Sequence, residues 1–293
     1  MHNSLARSLL LFFFLAGILW GNAQSSDLFR VEYLRIPENN TGINTSRYRI
    51  LLNVPIQINK KDYLIVGGEY NEFDIDFRKD FPFDESIIEQ LHIVDFNLGY
   101  ITKWNENWRF VGIVTPRMAS NLTGAIRMDD FFFNATATLW KENSKADKPY
   151  RIVLGLSYNS TTGLPIPLPL VSYYRRFHPK WSYTLGIPRT NFKYHATDKH
   201  SVQLALLLDG YFINVQNDIP LPDGEVGSRI SLSALVATVG YQFNVTTNMS
   251  FYALFGRSLI LDSTLRDDGR NDVFLLNNEA NLFLRAGFKV SIF

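Results

Sequence analysis

The chain has 293 residues, 46% of them hydrophobic and 14% aromatic, with 29 Lys and Arg against 28 Asp and Glu and no cysteine. So balanced a charge offers no basic field for nucleic acid, and the missing thiols exclude disulfides, thiol nucleophiles, iron–sulfur ligation and a lipidated N-terminal cysteine. A mean hydropathy of -0.06 is too polar for a bundle of membrane helices.

The N-terminus reads as an address. One cation, Arg7, precedes the apolar run Leu9 to Trp20, and Gly21 and Ala23 are the small residues of a cleavage site before Gln24. The run is roughly 12 residues, against the about 20 that a spanning helix needs. Residues 1–23 are therefore expected to be a cleaved signal peptide and residues 24–293 a single exported domain, left balanced in charge because only Arg7 is removed.

Beyond the signal the chain alternates with period 2. Tyr48, Ile50, Leu52, Val54 and Ile56 oppose Arg47, Arg49 and Asn53, and Val202, Leu204, Leu206 and Leu208 oppose Ser201, Gln203 and Asp209. In chain order the strands fall at Leu28–Ile36, Arg47–Ile58, Asp62–Phe77, Leu91–Lys103, Trp108–Arg117, Asp130–Lys141, Tyr150–Asn159 and Leu170–Phe177. Trp181–Ile187, Asn191–Thr197, Lys199–Asn214, Ile230–Asn244, Met249–Ile260 and Asn281–Phe293 complete the series. Long connections rich in Gly, Pro, Asn or Asp alternate with short ones, as in membrane barrels with long extracellular loops and short periplasmic turns. The fold class predicted is an all-β, transmembrane, antiparallel up-and-down β-barrel of about 14 strands, or about 12 if Trp181–Thr197 is one irregular connection. A soluble sandwich also alternates, but lacks this alternation of loop length. Trp104, Trp108, Tyr150, Tyr158, Phe177 and Trp181 collect near strand ends, where an aromatic ring with a polar handle suits the membrane surface.

The last strand carries Leu282, Leu284, Ala286, Phe288, Val290 and Ile292 opposite Arg285, Gly287 and Lys289, and ends at Phe293. It resembles the C-terminal insertion signal of bacterial outer-membrane barrels, which implies outer-membrane lipid and the barrel-assembly machinery as partners. Phe293, however, falls in phase with Arg285 and Lys289 instead of with the apolar face. The segment Gly163-Leu164-Pro165-Ile166-Pro167-Leu168-Pro169, followed by Tyr173 and Tyr174, is similar to one in an uncharacterised family of Gram-negative outer-membrane barrels, a domain of unknown function. That resemblance implies a barrel and carries no chemistry.

Motifs for catalysis or metal are weak. His195, Asp198, His200 and Ser201 are the only cluster with the side chains of a hydrolase, yet they lie at a predicted periplasmic turn, whereas barrel hydrolases usually work from the outer face. Isolated histidines lack zinc spacing, and the acidic loop Asp262–Glu279 is interrupted by Arg266 and Arg270. No cofactor, metal or catalytic residue is assigned, and sequons such as Asn134-Ala135-Thr136 read as ordinary polar residues. The inward face is expected to carry Arg47, Arg49, Asp74, Asp76, Asp95, Arg151, Asp209, Arg285 and Lys289 as lumen-lining residues of mixed sign. Such side chains tune ion selectivity in an open pore or pair across a closed one. The expected role is a pore, transporter or binder for a small solute or apolar molecule. The alternatives are a closed structural or interaction barrel whose loops bind a partner and, third, a rim hydrolase.

Overall fold

A computed structural model describes residues 27–144, 146–159 and 167–291. The expected signal peptide, part of the Pro-rich segment and Phe293 lie outside the described residues. The strands are β1 (Asp27–Ile36), β2 (Ile43–Gln57), β3 (Asp62–Phe77), β4 (Gln90–Lys103), β5 (Trp108–Ser120), β6 (Phe131–Asn143), β7 (Tyr150–Tyr158) and β8 (Pro167–His178). They continue as β9 (Trp181–Ile187), β10 (Arg189–His195), β11 (His200–Pro220), β12 (Val226–Asn244), β13 (Met249–Arg266), β14 (Asp272–Asn277) and β15 (Leu282–Ser291).

Each strand from β1 to β13 pairs antiparallel with the next, β13 pairs with β15, and β15 returns to β1, closing a barrel of 14 strands. β14 folds back on the end of β13 and stands outside the ring. Trp181–Thr197 is a true hairpin, β9 with β10, so the count is 14 and not 12. Closure matters because an open sheet edge in lipid would leave backbone groups unpaired.

The outward parity forms an apolar belt. Ile50, Leu52, Phe96, Leu98, Leu154, Leu156, Leu185, Leu204, Leu206, Val239, Phe255 and Leu284 are all exposed although large and hydrophobic. So much apolar surface running round a closed barrel is stable only against lipid. At the short-turn end the belt is edged by aromatic stacks: Trp181 lies 4.9 Å from Phe192 and 4.6 Å from Tyr194, and Trp104 is 71% exposed.

At the long-loop end the strands run further than the alternation predicts. β2 begins at Ile43, β11 reaches Pro220 and β13 reaches Arg266, while β14 lies within the stretch expected to be loop. In β11 every residue from Tyr211 to Gln216 is buried, so no single face meets lipid there and period 2 disappears. A core of Leu34, Ile36, Phe73, Ile75, Leu91, Ile93, Tyr211, Ile213, Ile230 and Leu265 fills this end. The β3–β4 connection joins it through Phe83 and Ile88, with Phe83 edge-on to Phe274 of β14 at 5.4 Å. The long connections thus cap the barrel.

Candidate functional site: the barrel interior

β5 and β11 are not neighbours in the ring, yet Asn214 bridges to Ser120 in parallel register. The bridge is held by a buried polar latch. Asn214 Nδ2 donates to Asp130 Oδ1 at 2.9 Å, Gln216 Nε2 to Asp130 Oδ2 at 2.7 Å, and the Gln216 backbone N–H to Asn121 Oδ1 at 2.8 Å. Burial alone would raise the Asp130 carboxyl; the Arg127 backbone N–H and the side chains of Ser120, Asn214 and Gln216 outweigh it and hold the group below its ordinary value. The latch divides the interior. The buried apolar core is built from β1–β5, β11–β15 and the β3–β4 connection; among the described residues it contains no buried residue of β6–β10, whose half-buried Phe132 packs against its margin.

Below the core a charged layer crosses the lumen. Arg47 of β2 donates to Glu32 of β1 at 3.2 Å and to Asp209 of β11 at 3.2 Å. Arg285 of β15 bonds the same Asp209 and lies 3.5 Å from Glu32. Because β2 and β11 are separated around the ring, these bonds tie opposite walls together. Arg49 donates to Glu69 at 2.7 Å, Arg117 grips Asp95 through two bonds of 2.7 Å, and Tyr252 Oη donates to Glu32 at 2.6 Å. Four guanidinium groups face four carboxylates, so the layer is neutral. Glu32, whose side chain is only 1% exposed, sits at its centre.

The β6–β10 wall differs. Its inward residues include Thr136, Thr138, Trp140, Glu142, Ser157, Ser172, Ser182, Asn191 and Lys193, and several of their bonds stay within the wall or reach an adjoining strand. Thr136 bonds Ser157 at 2.8 Å, Trp140 Nε1 donates to Thr138 at 2.9 Å, and Ser182 bonds His195 at 2.9 Å. Solvent reaches this side: Arg189 is exposed and Lys193 half-buried although both face inward. Above the β9–β10 turn, where Arg189 pairs with Leu207, β11 continues to Pro220 without β10, paired with β12 and bridged to β5 at Asn214.

Of the residues expected in the lumen, Arg47, Arg49, Asp209 and Arg285 meet in the charged layer, and Asp95 faces inward against Arg117. Arg151 is 7% exposed and stacks over Trp140 at 5.1 Å. Lys289 lies on the inward parity opposite Arg30. Asp74 and Asp76 do not line the lumen. They share the outward parity of exposed Tyr70, while Asn71, Phe73 and Ile75 take the inside, and Asp76 pairs at the surface with Arg78 at 2.7 Å. The interior is apolar at that height, which puts the acids outside, above the belt.

The sequence missed Glu32, Glu69, Arg117, Arg30, Arg189 and Lys193. The hairpin register offers one signal, setting Glu32 opposite Arg49. The His195–Ser201 cluster is not assembled: His195 faces inward to Ser182, whereas His200 faces outward to the Tyr241 hydroxyl at 2.6 Å. In the acidic loop, Asp267 accepts from both the backbone and side chain of Asn271 at 2.8 Å, and Arg266 binds Asp272 at 3.0 Å. Among the described residues no group of three or more potential ligands is placed to hold a metal.

Residues 38–291 match the model of a domain of unknown function, DUF6268. The chain belongs to the DUF6268 family. This is an uncharacterised barrel family, as the Pro-rich segment implied. No curated protein matches the sequence. Among solved structures, the COG4313 outer membrane channel from Pseudomonas putida F1 is similar at 12% identity and a TM-score of 0.43, over 94% of this chain and 98% of that one. A KdgM porin in complex with disordered oligogalacturonate aligns at 8% identity and a TM-score of 0.37, over 89% and 98% of the two chains. LpxR from Salmonella typhimurium aligns at 6% and 0.39, over 90% and 99%. These likenesses are of architecture.

Proposed function

We propose that this DUF6268 protein is an outer-membrane channel that passes a small polar solute, with its short turns in the periplasm and its capped end outside. The observation that carries the reading is the division of the interior. The β5–β11 latch, the apolar core and the charged layer occupy one side, while the β6–β10 side presents polar groups, with solvent at Arg189. A barrel built only as a scaffold has no need to keep one wall polar and wet, whereas a solute path needs donors, acceptors and water along its length.

A second reading is supported by the cap. A core that includes Phe83 and Ile88 from a long connection, resting on β14, makes a firm outer surface, as a closed barrel that meets a partner would have. The two readings part in a planar bilayer. Refolded protein that is demonstrably inserted should give steady openings under the channel reading. Silence from inserted protein would reject it in favour of the closed barrel.

A further inference from the structure

The charged layer is balanced, but the lumen between it and the short turns is not. Arg30 of β1 and Lys289 of β15 are direct cross-strand partners on the inward face, and like charges set opposite each other repel. Arg189 and Lys193 project inward from β10, within electrostatic reach of Lys289. Their fixed partners are largely neutral: Arg189 donates to Gln203 at 3.0 Å and Lys193 to Gln242 at 2.9 Å. Of the carboxylates that face this part of the lumen, Asp27 bonds the Ser291 hydroxyl and Arg30, which also lies 3.9 Å from Glu32 of the charged layer, and Glu142 faces Arg109 at 3.7 Å. Neither carboxylate forms an ion pair with Arg189, Lys193 or Lys289 among the described residues.

Two donors also lack partners there. Ser201, 2% exposed, pairs in register with His195 on one side and Gln242 on the other, and its hydroxyl makes no hydrogen bond; nor does the buried Nε of Arg30. Buried donors without acceptors are costly, and like charges gathered on one wall repel one another even where water screens them in part. An oxyanion relieves both at once.

We propose that Arg30, Arg189, Lys193 and Lys289, with Ser201 and Gln242, form an anion site in the lumen, so that the transported solute carries a carboxylate or phosphate group. This rests on the channel reading for transport, although the site itself does not. The cations line the β10 to β1 arc of the wall, with Arg189 and Lys193 on the edge of the polar β6–β10 side itself, so a passing anion meets them while the neutral layer neither attracts nor repels it.

The test combines selectivity with binding. In a potassium chloride gradient across a planar bilayer, the wild-type channel should favour chloride. Lys193→Gln with Lys289→Gln should lower the chloride-to-potassium permeability ratio by about twofold or more, whereas Lys193→Arg with Lys289→Arg should hold it, since fixed lumen charge sets selectivity. The arginine pair guards against a loss caused by misfolding. Inorganic pyrophosphate and citrate, titrated separately into detergent-folded protein by calorimetry, show whether phosphate or carboxylate is preferred. A cation-selective wild type, or a ratio unmoved by the glutamine pair, overturns the inference while leaving a channel. If the barrel is silent, the channel reading fails, and the anion site then stands or falls on whether either probe binds and loses affinity in the glutamine pair.

Discussion

Asp209 is the residue through which two distant strands hold each other, and Asp209→Asn is the sharpest test of the charged layer. Its carboxylate receives Arg47 at 3.2 and 3.4 Å and is also bonded by Arg285, with side-chain exposures of 14%, 7% and 12% for the three residues. Removing one partner of a buried pair costs about 3 to 5 kcal/mol, because the surviving charge is left desolvated. Here the lower figure applies. Glu32 remains within 3.2 Å of Arg47 and 3.5 Å of Arg285, and some water reaches the site. The expected loss is therefore about 3 kcal/mol. Asp76→Asn supplies the control: its pair with Arg78 is surface-exposed, with side chains 45% and 62% accessible, and should be worth less than about 1 kcal/mol. Urea unfolding of the barrel in lipid vesicles, followed by tryptophan fluorescence, measures both. Arg47→Met combined with Asp209→Leu removes one charge of each sign and leaves Glu32 with Arg285, so it should cost less than Asp209→Asn alone. Equal losses for Asp209→Asn and Asp76→Asn, or a double variant worse than the single, would refute a cross-lumen layer.

Further outcomes follow from the belt and the latch. Leu206→Arg, outward and 41% exposed, should cost about 2 to 4 kcal/mol of folding in vesicles, while Thr136→Arg on the inward face should cost much less. Equal yields would invert the assignment of faces. Gln216→Ala removes bonds to Asp130, the Gly124 N–H and the Ala125 carbonyl, and should loosen the latch by about 1 to 3 kcal/mol, read as faster proteolysis within residues 121–130. The Asp130 carboxyl is held below its ordinary value, so its contribution is complete above about pH 3.9 and is lost only as pH falls through the lower folded value. The same proteolysis should therefore be flat through mildly acidic pH and rise below it, and Asp130→Asn should abolish the rise.

The parts of the fold that the sequence disclosed are those where lipid imposes a rule. Between the turns, each strand must offer hydrocarbon one apolar face, so Leu204, Leu206 and Leu208 against Gln203 and Asp209 suffice to place β11. Above the belt that rule lapses. Tyr211 to Gln216 are buried on both faces, and the acids of β3 stand outside because Phe73 and Ile75 occupy the inside. The parity of β3 is ambiguous on its own, since Leu64 and Val66 alternate with Ile65 and Gly67; only its neighbours resolve it. The site was legible to a similar depth. Alternation marks Arg47, Asp209 and Arg285 as inward, but which residues meet depends on the curvature of the ring, which brings together positions 162 residues apart. Glu32 escaped because the inward parity of β1 also holds Leu34 and Ile36 and so reads as apolar.

The two sets of charges in the lumen do different work, and their arrangement explains why both are present. A wide barrel has no core of its own across its middle, and bonds from Arg47 to Asp209 draw the β2 and β11 walls together there. For that task the charges must be matched, since any excess would be desolvated without compensation. A balanced layer, however, has no preference for the sign of a solute. Selectivity needs an unmatched excess of charge, and Lys289, Arg189 and Lys193 supply it beside the Arg30–Asp27 pair, at the edge of the open side, where water offsets part of the cost of their charge. The separation has a consequence that neither set has alone. Substitutions in the matched layer should move stability and leave ion preference nearly unchanged, while substitutions in the unmatched wall should move ion preference and relieve a local repulsion, leaving stability the same or slightly higher.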